Sequence, residues 1–247
     1  MKHIASVSFG KDSLAMLLLL IEKGYPLDEV IFYDTGMEFQ AIYDIRDKVV
    51  PMLKANGIKY TELSSEKTFE YWMFEHPVKK RGSKEIHKHG YSWCGGTCRW
   101  GTAQKTATIE KYFKSQGYKD VAQYIGIAVD EPDRLARGGG QNKLYPLAEW
   151  GMTEADCLRH CYERGFFWEE DGVRLYDVLK RVSCWCCRNK NLKELENIYN
   201  HLPKYWGKLK DMQSRLTEPM KGEGKSVFDL EKRFKYNALQ KKLYYYM

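Results

Sequence analysis

A short apolar strand, Ile4-Ala5-Ser6-Val7, runs straight into the polar turn Ser8-Phe9-Gly10-Lys11-Asp12-Ser13 and then into eight consecutive apolar residues, 14–21. With its flanks, that apolar run is long enough for a helix. Gly24 stands where a left-handed residue closes it. Residues 30–33 supply a second strand, 39–56 a second helix ended by Gly57, and 58–61 a third strand. This β-α-β-α-β alternation predicts an α/β fold, a parallel twisted sheet with right-handed crossovers and helices on both faces. Such sheets bind ligands beyond the carboxyl ends of their strands.

The periodicity lapses over residues 64–98, where the charged run 79–90 suggests a lid or loop. A helix over 102–115, a strand over 121–129 and the glycine-rich Arg137-Gly138-Gly139-Gly140 follow. Thr153 and Asp156 have capping-box spacing for another helix, and beyond Cys184 the chain reads as helical. At 247 residues and 43% hydrophobic content it can bury one sizeable core with a smaller appendage. The expected division is a nucleotide-binding α/β domain with a Cys-rich insert at 1–187 and a basic helical C-terminal extension at 188–247. The extension holds 14 Lys/Arg against 7 Asp/Glu, so it carries the whole net charge of +7. A polyanion surface is expected there, with Lys190, Lys193, Lys204, Lys208 and Lys210 meeting phosphates of a nucleic-acid acceptor and Tyr205 and Trp206 stacking on bases. No apolar run approaches a membrane span and the opening residues lack a signal-peptide pattern, so a cytoplasmic location is expected, with the seven cysteines kept as thiols.

The opening turn suits polyphosphate. Amides at a helix start point outward with the positive end of the dipole. Gly10 permits close approach, Ser8 and Ser13 add hydroxyls, and Lys11 adds a full charge; Asp12 is expected to cap the helix or to position Mg2+. A Walker loop is excluded, since Ala5 stands where its first glycine belongs and Asp12 where its Ser/Thr belongs.

The hexapeptide resembles the PP-loop of ATP pyrophosphatases, and the order of later segments resembles the phosphoadenylyl-sulfate (PAPS) reductase branch of that superfamily. Tyr33-Asp34-Thr35-Gly36-Met37-Glu38-Phe39, Gly126-Ile127-Ala128-Val129-Asp130-Glu131-Pro132-Asp133-Arg134 and Tyr145-Pro146-Leu147-Ala148-Glu149-Trp150 carry that resemblance, which covers residues 2–209. Phe9 departs from the loop's usual glycine. The resemblance implies an adenine nucleotide held by Ser8, Phe9, Gly10, Lys11, Asp12, Ser13, Asp34, Thr35, Gly36, Gly126, Asp130, Glu131 and Arg137, with Lys11, Asp12 and Arg134 catalytic. It also implies a metal centre at Cys94, Cys98, Cys184 and Cys187, a [4Fe-4S] cluster or alternatively Zn2+. Cys157 and Cys161 share a helix face and are expected to pack, while Cys186 is a spare thiol.

Three functions stay open at this level. One is cleavage of ATP between the α and β phosphates to adenylate an acceptor, with a link to sulfur transfer. The second is reduction of a sulfonucleotide such as PAPS or adenylyl sulfate, for which no cysteine beyond Cys187 supplies the family's nucleophile and Cys186 is the local candidate. The third is a non-catalytic nucleotide-sensing or nucleic-acid-binding module.

Overall fold

The computed structural model describes residues 1–94, 98–137, 140 and 142–245. From β1 (Lys2–Ser6) the chain passes through α1 (Lys11–Glu22), β2 (Glu29–Asp34) and α2 (Gln40–Ala55) to β3 (Lys59–Ser64). A π-helical turn (Tyr71–Glu75), an antiparallel hairpin of β4 (Pro77–Lys79) and β5 (Ile86–His89), and a second π-helical turn (Arg99–Ala103) lead into α3 (Gln104–Ser115). Then come β6 (Val121–Ile125), α4 (Pro132–Arg137), β7 (Lys143–Leu144), α5 (Pro146–Glu149) and α6 (Glu154–Glu163). A minimal hairpin of β8 (Glu169–Glu170) and β9 (Val173–Arg174) precedes α7 (Leu175–Val178), α8 (Leu192–His201), α9 (Pro203–Ser214) and α10 (Val227–Tyr245).

Strands β3-β2-β1-β6-β7 form one wholly parallel sheet. The chain moves outward from β1 to β3 and then returns past β1 to β6. A right-handed crossover in the reverse direction puts its helix on the other face, so α3 lies opposite α1 and α2. Strand alternation follows suit. Ile4, Ile31 and Val121 point to Ile109 of α3, whereas Ala5, Val30 and Phe32 join the larger cluster with Leu14, Leu17 and Ile42. The reversal leaves a crevice at the carboxyl ends of β1 and β6, where such sheets take ligands.

The sequence expectations meet three differences. The strand expected to reach Val129 stops at Ile125, where the chain turns across the start of α1. The stretch 64–98, expected as lid or loop, contains a hydrogen-bonded hairpin. The larger apolar cluster is also continuous into the C-terminal segment, joining Phe9 and Phe39 to Leu195, Tyr205, Trp206 and Phe234. Gly138, Gly139, Gln141 and the 95–97 bridge between Cys94 and Cys98 lie outside the described residues. The capping box of Thr153 and Asp156 on α6 forms as expected.

At the amino end of β2, away from the crevice, buried Glu29 accepts hydrogen bonds from Thr61 at 2.5 Å, Tyr112 at 2.6 Å and Tyr118 at 2.9 Å, with Lys59 at 3.2 Å. Burial alone would raise its pKa, but these donors together hold it below the ordinary 4.5. A depressed carboxylate contributes stability above that value and loses it as the pH falls through the folded pKa. Glu29→Gln is therefore expected to cost about 1–3 kcal/mol at pH 7. The gap to the parent protein should narrow below pH 4.5, and urea unfolding at pH 7 and pH 4 measures both.

Candidate functional site

The polar turn after β1 is built from below by residues distant in sequence. Phe9 takes a left-handed backbone, φ 55°, and turns its ring inward against Phe32 at 5.1 Å. Its carbonyl accepts from the Trp168 indole at 2.8 Å. The Lys11 amide donates to the Tyr176 hydroxyl at 2.8 Å, and the Ser8 amide to Ser13 Oγ at 3.1 Å. The amides of Gly10, Asp12 and Ser13 stand at the helix start, where no intrahelical partner takes them, beside the paired hydroxyls of Ser8 and Ser13, 3.1 Å apart, of which Ser13 also donates to the Gly10 carbonyl at 3.1 Å. Gly126, just past β6, passes so close to α1 that a Cβ there would sit 2.8 Å from Ser13 Cα. The result is a cavity of about 220 Å³ lined by Ser8, Gly10, Lys11, Asp12, Ser13, Gly126, Arg134, Tyr176, Lys180, Arg181 and Ser183, among others. Phe9, expected among the contacts, is absent from that lining because its apolar ring is core.

Asp12 makes no side-chain cap on α1. Instead its carboxylate converges with those of Glu131 and Glu154, their oxygens within 4.8 Å of one another. Burial raises the pKa of Asp12, Lys11 opposes this, and the two glutamates add to the rise. Three cations balance the cluster. Lys11 Nζ is 2.7 Å from Asp12 and 3.5 Å from Glu154, Arg134 is 2.5 Å from Glu131, and Arg181 is 2.6 Å from Glu131. Mg2+ takes carboxylate oxygens, one or two of them together with substrate phosphates, so residues of this cluster suit that ion. Asp130 accepts the first amide of α6, Glu154 N, at 3.0 Å, and so fixes Glu154 in the cluster. A neighbouring cavity of about 280 Å³, lined by Asp130, Glu131, Asp133, Arg134, Arg137, Glu154, Lys180 and Arg181, continues the charged surface.

Beyond β2 and β3 lies a cavity of about 500 Å³ lined by Asp34, Thr35, Gly36, Met37, Ser64, Ser65, Lys67, Phe69, Trp72 and Trp100, among others. Asp34 is held by the Tyr43 hydroxyl and the Gly36 amide, both at 2.8 Å. Glu38 accepts from Thr35 at 2.8 Å and from the Cys184 thiol at 3.5 Å. Burial pushes the pKa of Glu38 up and that of Lys105, whose charge acts on Glu38 and Cys184, down.

The model of the phosphoadenosine phosphosulfate reductase domain matches residues 2–154, more than half of the chain. The chain belongs to the phosphoadenosine phosphosulfate reductase domain family. Two uncharacterized proteins of Methanocaldococcus jannaschii are relatives. One is 25% identical over 240 residues, covering 90% of this chain and 43% of the relative. The other is 26% identical over 208 residues, covering 81% and 46%. This chain thus spans less than half the length of either. Among solved structures, the U34-tRNA thiolase NcsA from Methanococcus maripaludis with its [4Fe-4S] cluster is similar with a TM-score of 0.43 and 15% identity, over 87% of this chain and 72% of that one.

The segment matched to the phosphoadenosine phosphosulfate reductase domain ends on Glu154, so it contains all three clustered carboxylates. Cys94 and Cys98 fall inside it, and Cys184 and Cys187 beyond. The residue before Cys94 and the residue after Cys187 meet, since the Arg188 side chain donates to the Trp93 carbonyl at 3.0 Å. A hydrogen bond from Cys98 draws the pKa of Cys94 down, while the same contact and burial push Cys98 up. Among the described residues no three cysteine sulfurs lie within 4.8 Å of one another. A single zinc ion would hold its sulfurs about 4 Å apart. A cubane, which bonds each sulfur to a different iron, spreads them further, and the thiols suit it in type. Cys157 and Cys161 are buried on α6, where the Cys161 thiol donates to the Lys11 carbonyl at 3.4 Å. Cys186 is buried, which pushes its pKa well up, and it lines neither the phosphate cavity nor the larger one beyond β2.

The C-terminal expectations need correction. Tyr205 and Trp206 are buried and cannot stack on bases, because α9 packs its aromatic face into the core. Lys190 is buried too, 3.3 Å from the Arg181 carbonyl. Lys210 pairs with Glu231 at 3.3 Å and Lys193 with Glu196 at 3.8 Å, leaving Lys204 and Lys208 exposed without an ion pair among the described residues. No described helix is long and apolar enough to cross a membrane.

The sequence reading also missed Tyr176, Lys180, Arg181, Glu154 and Lys105. Lys180-Arg181 had a signal, two adjacent cations just before a cysteine turn. The others had none. Gly126→Ala drives a methyl into the first turn of α1, and overpacking of this kind costs about 1–3 kcal/mol. Thermal unfolding of the variant is expected to show that loss.

Proposed function

We propose that this protein binds ATP across the carboxyl edge of its sheet and cleaves it between the α and β phosphates, transferring the adenylyl group to an acceptor. One observation carries the reading. A cavity at the reversal of strand order presents free helix-start amides, two serine hydroxyls and Lys11, with Arg134, Lys180 and Arg181 opposite, beside three converging carboxylates. That combination suits a triphosphate and its divalent ion. The nucleoside goes to the larger cavity lined by Asp34, Thr35, Gly36, Trp72 and Trp100.

The acceptor atom attacks the α-phosphorus, the bond from that phosphorus to the bridging oxygen breaks, and pyrophosphate leaves with the electron pair. Amides of the turn and Lys11 hold the leaving group in line, while Arg134 and Arg181 meet the charge that develops on it. Asp12, Glu131 and Glu154 would hold Mg2+, which supplies charge neutralisation on the phosphates. In the free protein those same carboxylates pair with Lys11, Arg134 and Arg181. Nucleotide binding therefore exchanges carboxylate partners for phosphate on all three cations. Cys94, Cys98, Cys184 and Cys187 would hold an Fe–S cluster, the group that links such an enzyme to sulfur transfer.

A second reading, sulfonucleotide reduction, is favoured by the Cys184 sulfur, 3.4 Å from the hydroxyl of Thr35 at the nucleoside cavity. Pyrophosphate release from ATP supports the first reading, and sulfite release from a sulfonucleotide the second.

Lys11→Ala is expected to weaken ATP binding about 10- to 150-fold, the loss of one charge-assisted contact. Isothermal titration measures it, and an unchanged affinity in folded protein removes Lys11 from the site. Protein purified without oxygen is expected to be brown, with broad visible absorption and bound iron that is lost when Cys184 and Cys187 are both changed to Ser. Colourless protein with stoichiometric zinc would replace the cluster by a single ion.

A further inference from the structure

We propose that the β4–β5 hairpin and the cavity at its foot bind a single-stranded polynucleotide, placing an unpaired base beside the nucleotide site as the acceptor. The inference rests on the nucleotide reading above for the acceptor role, and on separate observations for the binding.

The hairpin, residues 77–90, carries Lys79, Lys80, Arg81, Lys84 and Lys88 against one carboxylate, Glu85. Lys80 pairs with Glu85 at 2.8 Å and Lys88 with Glu218 at 3.1 Å. Lys79, Arg81 and Lys84 are exposed and have no ion-pair partner among the described residues. The arm is anchored at its base. The amides of Gly90, Tyr91 and Ser92 donate to the carbonyls of His76, Trp72 and Met73 at 2.7, 2.9 and 3.0 Å. Gly90 admits no side chain there, since a Cβ would come within 2.1 Å of the Met73 carbonyl oxygen. The free cations are therefore presented at a defined place.

At the foot of the arm lies a cavity of about 620 Å³, walled by Tyr71, Trp72, His76 and Tyr112, with Lys67 and the ion pair of Lys111 with Glu66 at its edge. Trp72 is backed by Tyr91, their rings 6.1 Å apart and inclined by 13°. Ser64, Ser65, Lys67 and Trp72 also line the proposed nucleoside cavity, so the two spaces share a wall. Aromatic faces at the foot of an arm that carries unpaired cations match the alternation of base and phosphate along a strand. A base inside a duplex is unavailable to such a cavity, which selects a single strand, whereas an acidic peptide has nothing to stack. The C-terminal segment is the poorer surface, since Tyr205 and Trp206, which stand between its unpaired Lys204 and Lys208 in sequence, are buried.

The test is fluorescence anisotropy with labelled RNA and DNA oligonucleotides, single-stranded and duplex, over a salt series. The triple variant Lys79→Gln, Arg81→Gln, Lys84→Gln is expected to reduce the log–log salt slope by about 2, three contacts at roughly 0.7 each. Tyr71→Ala is expected to weaken single-strand binding about 5- to 150-fold. ATP affinity by calorimetry should be unchanged in the triple variant, whose substitutions lie at the exposed tip, and an unchanged melting temperature checks its fold. An unaltered slope, tighter binding to duplex, equal binding to polyglutamate or anionic vesicles, or loss of binding in Lys204→Gln, Lys208→Gln instead would overturn the proposal. Failure of ATP to bind the parent protein would refute the nucleotide reading while leaving hairpin-dependent strand binding standing.

Discussion

The left-handed backbone of Phe9 is the point on which the phosphate turn depends. An L residue at φ 55° gives up about 1–2 kcal/mol. Burying its ring against Phe32 offsets that with about 1.5–3 kcal/mol. The ring cannot leave the core without taking the turn with it, and Trp168 grips the Phe9 carbonyl from the same side. A glycine would adopt the conformation freely but would anchor nothing. The turn is thereby tied to residues about 160 positions later, and the C-terminal half of the chain becomes a support for the first ten residues.

The charged cluster above the turn follows a second constraint. Asp12, Glu131 and Glu154 come from three separate segments, α1, the turn before α4 and α6, and their mutual repulsion is tolerated because Lys11, Arg134 and Arg181 surround them. Buried ion pairs of this kind contribute little net stability, since desolvation opposes the attraction. Their value lies in holding both ligand sets, oxygen atoms for a cation and cations for phosphate, ready in one place. Gly126 permits the close approach of β6 to α1 that brings these groups together.

The aromatic residues divide by position. Those of α9 are core, with Tyr205 donating nothing to solvent and holding the Gln40 amide at 3.1 Å. Those of the first π-helical turn wall a cavity at the carboxyl edge. Composition cannot separate the two groups, because a Trp or Tyr at helical spacing looks alike in either setting.

What the sequence determined by itself is local. Strand, turn and helix follow from apolar runs and the glycines that end them, and the crossover rule then requires a parallel sheet with its ligand edge at Ser8–Ser13. The capping box at Thr153 needed only residues three apart, and the expected packing of Cys157 with Cys161 only residues four apart. Tertiary structure alone decided what depends on convergence. It set Glu154 beside Asp12, brought Tyr176 and Arg181 to the turn, buried Lys190, and placed Arg188 on the carbonyl beside Cys94. It also made a hairpin of the charged stretch, whose pairing rests on backbone bonds across a turn and leaves no apolar period to read. Side chains over a hundred positions apart share no periodicity, so only the packed sheet and its return crossover specify which of them meet.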